Sequence, residues 1–499
     1  APELVVEKME TQSKESENFL QRMSRPVSAP VVDLFRILCG SLIVVYFVRL
    51  FLEYPLYTAE SGLLDHELHR ELFWFTKFTL FYPGCPAWYK LGILVTGFLG
   101  ALCIVAGLRP KLACIVTWVV VVSVHRWNFA VINVDDSSIT LLLWWLLLLP
   151  IGHTLTWKTA RGLTDWKNEC RSVVDGFFVR AFFANLFIYY LTAGLTKLGS
   201  GLWREGLALF IILNLPLART QGMWSPDDLP FLWFGNHFPL IAEPLFPFMV
   251  FLPKHHFLKY FGGISLFIFH LAIPITIGVP YANFTLILAL VLIFHEELGD
   301  WFQRKAGDYE LKKIEWSAPR GTRTLAISYL IILFLAMQKN VPVLGKVWEA
   351  GMGVLYLGGV AQEYHLFDWI DRFNWAIHHE VVVVNGEDET PVASTELFPH
   401  SVRGFIVQSY LLPMRWMRVP RPLTGEMRNS VLQRAAHRFV QTHPDLMKEG
   451  AKVIVRSRVG RLDRQDMTGE QLWETPLMTF SIQQGEVIFA YPRMPEGDS

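Results

Sequence analysis

Two side chains capable of proton transfer interrupt long apolar stretches of the sequence. Lys197 follows the segment YLTAGLT, and His270 lies in the segment FIFHLAIP. An amine that is partly removed from water can act as a general base near neutral pH, and imidazole is a common acid–base group. The alternative interpretations are structural: Lys197 would extend its amine to a membrane surface, and His270 would be a hydrogen-bonding residue of the core.

Three more charged side chains are candidates, because an ionisable group at membrane depth costs a few kcal/mol unless it is paired or solvated. Arg36 lies just inside the start of the first apolar stretch, from which its guanidinium can reach the membrane interface. Asp135 and Asp136 lie between two apolar stretches, where the alternative to a functional role is a loop and a helix N-cap.

Several other classes of function are excluded by the sequence. It carries no nucleophile elbow, P-loop or dinucleotide-binding glycine pattern. The segments HEE (295–297) and HHE (378–380) are assigned structural roles, because adjacent residues on a helix do not face one metal ion. With 45 basic and 45 acidic residues, the chain lacks the net positive charge typical of nucleic-acid binding. The five cysteines form no C-x-x-C pair, and no disulfide framework is expected.

The elements that must position these candidates are predicted to be membrane-spanning helices. The chain is 52% hydrophobic, and its apolar residues gather in long blocks between about 31 and 338. About eight or nine spans are predicted, at 31–52, 91–108, 112–132, 139–151, 177–195, 240–252, 258–279, 282–294 and 325–337. The block 240–252 contains two prolines and is either a kinked span or a re-entrant segment. The stretch 203–217 is expected to lie along the membrane surface.

The positions of the basic loops give these spans an orientation. With nine spans, every Lys/Arg-rich loop falls on one side of the membrane, which the positive-inside rule identifies as cytoplasmic. The N-terminus is then cytoplasmic, and the C-terminal region lies in a periplasm or organelle lumen. Lys197, Asp135, Asp136 and the outer half of the His270 helix share that outer side. A re-entrant 240–252 segment would place the C-terminal region in the cytoplasm instead.

The predicted fold is a polytopic α-helical membrane protein with a small extracytoplasmic α+β domain at its C-terminus. Residues 1–30 are polar, show no secretory signal and form a cytoplasmic N-terminal segment. The transmembrane domain covers 31–340, and an amphipathic connector covers 341–375. From 376 to 499, β-rich runs surround a polar helix near 427–440, which indicates a soluble α+β domain.

The run YLTAGLTKLGSGLWREG at 190–206 resembles the motif that carries the catalytic lysine of the vitamin K-dependent γ-carboxylase family, and Lys197 occupies that lysine's place. Other features resemble the broader horizontally transferred transmembrane domain that contains these carboxylases. They are Arg36 in the first span, the Asn133/Asp135/Asp136 stretch before a Leu-rich helix, and His270 followed by Gly278. The likeness covers roughly residues 30 to 340.

This resemblance implies a reaction and a set of roles. In the family, the lysine deprotonates reduced vitamin K, oxygen converts it to a strong base, and peptidyl glutamate then captures carbon dioxide. By this resemblance Lys197 is the base, His270 positions or polarises the substrate, and Tyr190 and Trp203 line the pocket. Arg36, Asp135 and Asp136 join the substrate-binding candidates. Reduced vitamin K or another membrane quinol, oxygen, carbon dioxide, a peptide or protein substrate and membrane lipid are the implied partners.

Two other functions compete with this one. The chain is alternatively a non-catalytic lipid- or quinone-binding subunit of a larger membrane assembly, in which the fold persists without turnover. A transporter is disfavoured, because the sequence shows no inverted repeat and few charges inside the predicted spans. The carboxylase hypothesis requires Lys197 for hydroquinone oxidation, and the hypothesis of a non-catalytic subunit does not.

Overall fold

A computed structural model gives the fold. It describes residues 19–215, 217–250, 252–307, 311–316, 318–336, 353–355, 358–360, 375–385, 390–396, 398, 403, 421–446, 452–461, 471–483 and 486–490. These residues form a mostly helical protein with two small sheets. The predicted connector at 341–375 lies almost entirely outside them.

The helices are numbered here in chain order. They are α1 (Phe19–Met23), α2 (Ala29–Glu53), α3 (His66–Leu72), α4 (Ala87–Ala106), α5 (Pro110–Trp127), α6 (Val134–Leu148), α7 (Trp157–Ala160), α8 (Trp166–Cys170), α9 (Phe177–Gly199), α10 (Gly201–Arg204), α11 (Ala208–Asn214), α12 (Leu229–Val250), α13 (Phe257–Thr276), α14 (Pro280–Ile293), α15 (His295–Ala306), α16 (Thr322–Ala336) and α17 (Arg421–Thr442).

Several of these helices have the length and composition of membrane spans. Among the described residues, four qualify: α2 with the π-helical turn that follows it, α4, α9 and α13. A fifth is added if α14 and α15, which meet at a bend of 60°, count as one broken span. These apolar helices are compatible with an integral membrane protein. Turn chemistry fits this arrangement, since Gly107 ends α4 in the left-handed region and Pro110 begins α5.

The proline-containing block at 240–252 belongs to a longer helix. Helix α12 runs from Leu229 to Val250 and contains Pro239, Pro244 and Pro247. It lies antiparallel to α9: a Cβ built on Gly194 would come within 2.5 Å of the Pro244 ring, and the Phe187 and Phe248 rings are 5.4 Å apart. A glycine at this crossing lets the two helices approach closely.

The stretch 203–217 corrects the expectation of a segment lying along the membrane surface. It forms the short helices α10 and α11, and it packs into the protein. Phe210, Ile211 and Ile212 are each 2% exposed. The physical reason is the composition of 208–213, ALFIIL, which is apolar on every face and so has no polar side to present to water or headgroups.

Strands beyond residue 374 form an antiparallel sheet of order β5-β4-β6-β7-β8, made of β4 (Trp375–Asn385), β5 (Thr390–Glu396), β6 (Lys452–Arg461), β7 (Gln471–Gln483) and β8 (Glu486–Ala490). Alternate residues of β4 and β6, such as Val381 and Val453, pack with α17. The same apolar cluster includes Tyr57, Leu63 and Val131 of the helical part. The sheet and α17 therefore rest on the end of the bundle where α2 finishes and α6 begins.

A second, three-stranded sheet lies at the other end of the bundle. Its strands are β1 (Val27–Ser28), β2 (Ser172–Val174) and β3 (Lys312–Lys313), with β2 in the middle. It ties the start of α2 to the segments that precede α9 and α16.

Candidate functional site

An apolar cavity of about 90 Å³ lies among α9, α12, α13 and α14, and α10 and α11 close one side. Most of its lining is aliphatic or aromatic, with a small number of polar groups, which is typical of small-molecule sites. The lining residues are Tyr189, Tyr190, Ala193, Lys197, Trp203, Leu209, Ile212, Gly235, Pro239, Glu243, Phe269, His270, Ile273, Ile277, Val279, Ala282, Asn283 and Leu286. Four sequence-predicted site residues, Lys197, His270, Tyr190 and Trp203, are thus brought together.

Lys197 is buried in the wall of this cavity and does not reach a surface. Its side chain is 4% exposed, and its Nζ donates hydrogen bonds of 2.6 and 2.8 Å to the two carboxylate oxygens of Glu243. Ser200 caps the next helix by accepting a 3.3 Å hydrogen bond from the Trp203 amide. This turn folds the chain back, so that the Trp203 ring lies 5.7 Å from the Lys197 amine as a cation–π partner.

Glu243 was missed by sequence analysis. It lies on α12 between Ala242 and Pro244 and is 4% exposed. The signal was present: Glu243 is an acidic residue inside a predicted apolar block, and such a residue is a functional candidate by the same rule that selected Lys197. The two prolines of this block predicted a kinked or re-entrant backbone, and the acid between them and the preceding apolar residues was not selected. Only the antiparallel packing of α9 and α12 shows that the acid and the amine meet.

His270 is held by hydrogen bonds at both ring nitrogens. Asn283 uses its amide nitrogen to donate a 2.7 Å hydrogen bond to the Val279 carbonyl, so its oxygen faces His270. His270 Nδ1 therefore donates to Asn283 Oδ1 at 2.8 Å, and Nε2 accepts from the Tyr190 hydroxyl at 2.7 Å. The network assigns the neutral Nδ1-protonated tautomer. His270 is thus a hydrogen-bonded core residue and also part of the cavity wall.

Asp135 and Asp136 lie next to the cavity, and neither lines it. Both fall in the first turn of α6, where Asp136 accepts a 3.1 Å hydrogen bond from the Asn133 amide in a capping box. Asp136 also accepts hydrogen bonds of 2.6 Å from both Tyr46 and Arg403. Asp135 accepts one of 2.9 Å from the amide of Ala282, which itself lines the cavity. Asp136 thus helps to cap α6, as the alternative interpretation proposed, and both aspartates also bond to residues far away in the sequence.

The Asp136 network includes residues that sequence analysis did not select. Tyr46 contacts His125 at 2.8 Å, and Arg403, 1% exposed, also lies 3.0 Å from Glu53. Arg403 comes from the C-terminal part of the chain, so it joins that part to the bundle. No local pattern pairs residues separated by 267 positions, as Arg403 and Asp136 are.

Arg36 lies at the opposite end of the bundle from the cavity, and the expectation that it reaches the interface is wrong. Its side chain is fully buried. It donates hydrogen bonds to Asp33 at 2.9 Å, to the carbonyls of Val105 at 2.8 Å and Leu155 at 2.5 Å, and to the carbonyl of Ile104. A guanidinium with this many acceptors is satisfied within the protein and does not need water.

The cavity therefore combines a buried amine–carboxylate pair with a fixed imidazole in an apolar wall. Such a pair can take up one proton from a ligand, because Lys197 and Glu243 together hold fewer protons than they can bind. Among the described residues, no group of three or more His, Cys, Asp or Glu side chains could hold a metal ion. No protein-family model, curated protein or solved structure matches this chain.

Proposed function

We propose that this protein is a membrane enzyme of the vitamin K-dependent γ-carboxylase type, in which Lys197 removes a proton from a lipid-soluble hydroquinone. One observation carries the proposal: the Lys197–Glu243 pair is buried in the wall of an apolar cavity that also holds His270. A base that acts on a lipid-soluble substrate needs an apolar site at membrane depth, and few charged residues are tolerated there without a function.

The pair explains how a lysine that forms an ion pair can act as a base. When the Lys197 ammonium transfers a proton to the Glu243 carboxylate, both groups become neutral, a state that burial favours over separated charges. The free amine then accepts the hydroxyl proton of the bound ligand. Lys197 ends as an ammonium and Glu243 as a neutral acid, and the positive charge faces the negative charge left on the ligand. Trp203 stabilises that ammonium from its ring face.

The residues present fit the ring end of a hydroquinone. A flat apolar ring can pack among Tyr189, Phe269 and Ile273, while its polar edge faces Lys197. The volume of about 90 Å³ is small beside the roughly 300–1,000 Å³ of sites that enclose whole ligands, so an isoprenoid tail would extend out between helices. A bound hydroquinone would supply the acidic hydroxyl and, with oxygen, the strong base that carboxylation of peptidyl glutamate by carbon dioxide requires.

His270 and Tyr190 act as positioning residues in this proposal. Because Asn283 orients the His270 ring, the imidazole fixes the direction of the Tyr190 hydroxyl group. The Tyr190 oxygen keeps a lone pair for a ligand hydroxyl. The two residues then orient the hydroquinone so that its other hydroxyl, the one to be deprotonated, faces Lys197.

The proposal includes the predicted topology of nine crossing helices with a cytoplasmic N-terminus. The length of α12, 22 residues, supports a crossing, because a helix of that length extends about 33 Å and the hydrocarbon core is about 30 Å thick. The C-terminal sheet packs on the end of the bundle where α6 begins, and Asp135 at that end bonds Ala282 of the cavity wall. Lys197 and the C-terminal domain would then share the periplasm or lumen.

The test uses the full-length protein in lipid nanodiscs with a reduced naphthoquinone, oxygen, radiolabelled bicarbonate and a glutamate-containing peptide. Wild-type protein is expected to oxidise the quinol and to incorporate label, and Lys197→Met is expected to do neither. Lys90→Met is the matched control, because Lys90 is also buried and paired, at 2.7 Å from Glu60, but lies outside the cavity lining. Quinol oxidation that is equal in wild type and Lys197→Met would contradict the proposal.

The non-catalytic alternative makes a different prediction in the same experiment. A quinone-binding subunit would bind the quinol without oxygen consumption or label in the peptide, and Lys197→Met would leave turnover at the background of protein-free nanodiscs. The small cavity volume and the full hydrogen bonding of His270 are the observations that favour this alternative.

A further inference from the structure

We infer that the end of the bundle opposite the Lys197 cavity carries a binding site for the phosphate headgroup of an anionic phospholipid. An open pocket of about 400 Å³ lies there, between the C-terminal half of α15 and the residue that follows α8. It is lined by Arg171, Asp300, Gln303, Arg304 and Gly307. This inference does not depend on the proposed function.

The charge of the pocket suits an anion. Two guanidinium groups, those of Arg171 and Arg304, line it, and Gln303 adds an amide donor. Among the described lining residues one is acidic, Asp300, and it is paired with Lys254 at 3.1 Å. Arginine is the side chain best matched to phosphate, because its planar donors can form two parallel hydrogen bonds.

An unsatisfied donor points to a missing ligand. The Nε of Arg171 is enclosed by protein atoms and has no hydrogen-bond partner within the described part of the chain. Its backbone is fixed, since the Arg171 carbonyl accepts a 3.1 Å hydrogen bond from the Lys312 amide beside the strand pair β2–β3. A charged side chain with an unmet donor is costly to keep, so Arg171 is suited to an anion that reaches its terminal nitrogens from the pocket.

The surroundings identify the anion as a lipid headgroup. Exposed aromatic side chains lie on the elements that carry these arginines: Trp301 of α15 and Trp166 of α8 expose 44% and 40% of their surface. Trp166 contacts Phe302 of α15, with ring centroids 6.0 Å apart, so the two elements that carry Arg171 and Arg304 pack against each other. Tryptophan favours the headgroup level of a bilayer, where basic residues bind anionic lipids. A site for soluble phosphate would not require exposed tryptophans on the elements that carry its arginines.

The experiment measures lipid-dependent thermal stability of the full-length protein in mild detergent. We expect phosphatidylglycerol to raise the unfolding temperature more than phosphatidylcholine. Arg171→Gln and Arg304→Gln should each weaken the phosphatidylglycerol titration about tenfold, the value expected for one charge-assisted hydrogen bond. Arg161→Gln is the matched control, because Arg161 is an exposed arginine of the same region that does not line the pocket. It should titrate as wild type.

Three results would overturn the inference. They are equal stabilisation by the two lipids, equal titrations for wild type and Arg304→Gln, and stabilisation by inorganic phosphate that matches the effect of phosphatidylglycerol. The third result would assign the pocket to free phosphate. Arg304 is exposed, so its replacement by glutamine gives a folded variant even if Arg171→Gln does not.

Discussion

Two buried ion pairs lie at opposite ends of the same helix bundle, and their surroundings differ. Asp33 accepts hydrogen bonds from Arg36, from the amides of Gly152, His153 and Thr154, and from the Thr154 hydroxyl. Arg36 in turn is bonded to three carbonyls. Lys197 and Glu243 bond each other and border a cavity.

The difference separates two uses of charge inside a protein. The Arg36 pair is saturated by backbone groups, so it holds a loop in place and has no capacity left for a ligand. The Lys197 pair keeps lone pairs and a proton site open toward an apolar space. Buried charge by itself is weak evidence for function, and the unoccupied bonding capacity next to a cavity is the stronger sign.

The largest effect is expected from Lys197→Met, which removes the amine of the pair that borders the cavity. Turnover of the quinol should fall by up to about 10⁴-fold, the upper end of the range for general acid–base catalysis. Stability should fall, but by less than for loss of the Arg36 partner, because Glu243 can take up a proton and become neutral whereas an arginine cannot lose one. Kinetics and thermal unfolding of the same preparation test both statements. A variant that loses activity only because it unfolds would contradict the prediction.

Asp33→Asn removes the carboxylate charge of the pair that backbone groups saturate. It should lower the free energy of unfolding by about 3–5 kcal/mol, because Arg36 is left as a buried charge without its partner. Turnover per folded molecule should remain at the wild-type level. Asp175→Asn is the control, since the Asp175–Arg323 pair is partly exposed and should contribute less than about 1 kcal/mol. Equal destabilisation by both variants would show that saturation of the Asp33 network does not matter.

Glu243→Gln keeps the shape of the side chain and removes its charge. Turnover should fall about 10²-fold, because Lys197 then has no acceptor for its own proton. The dependence of the rate on pH should also change, since the variant loses the carboxyl group that exchanges a proton with Lys197. Steady-state rates between pH 6 and 9 measure this. Wild-type rates in Glu243→Gln would mean that the pair is structural, like Asp33–Arg36.

The smallest effect is expected from two buried rings that are neutral, those of His66 and His69. Burial lowers the pKa of His66 to about 3 and that of His69 to about 4, and both lie on α3, outside the spanning helices. The unfolded chain binds protons near pH 6.5 and the folded chain does not, so stability falls as pH drops from about 6.5 toward 4.

The expected slope is at most about 1.4 kcal/mol per pH unit for each histidine. His66→Asn should reduce this slope, because it removes one of the two titrating rings. Thermal unfolding between pH 4.5 and 7.5 gives the measurement. His443→Asn is the control, since His443 is exposed. A wild-type profile that is flat over this range would contradict the prediction.

The sequence predicted well what depends on local pattern. Apolar runs located helices such as α9 and α13, and the exceptional charges within them selected Lys197 and His270. A helix N-cap was one of the two interpretations of the polar run at the start of α6, and the structure has a capping box there. These features depend on neighbours within a few positions, so they can be read from one sequence.

What depends on packing could not be predicted. Lys197 and Glu243 are 46 residues apart, and only the close approach at Gly194 and Pro244 brings them together. Arg36 has the same sequence environment as a lysine or arginine that reaches the interface, and the carbonyls that bind it come from two distant segments. Whether a charge is saturated or open is a property of the assembled bundle and not of any window of sequence.

The Lys197–Glu243 contact also has a consequence for the order in which the chain enters the bilayer during synthesis. Helix α12 carries Glu243 and three prolines and is not among the candidate spans of the described chain, whereas α9 is. An unpaired acid near the centre of a span costs roughly 2.5–3.5 kcal/mol to insert. Because α9 is synthesised first, Lys197 is already in place to offset this cost. Pairing with Lys197 would therefore lower the cost of inserting the helix that completes the site.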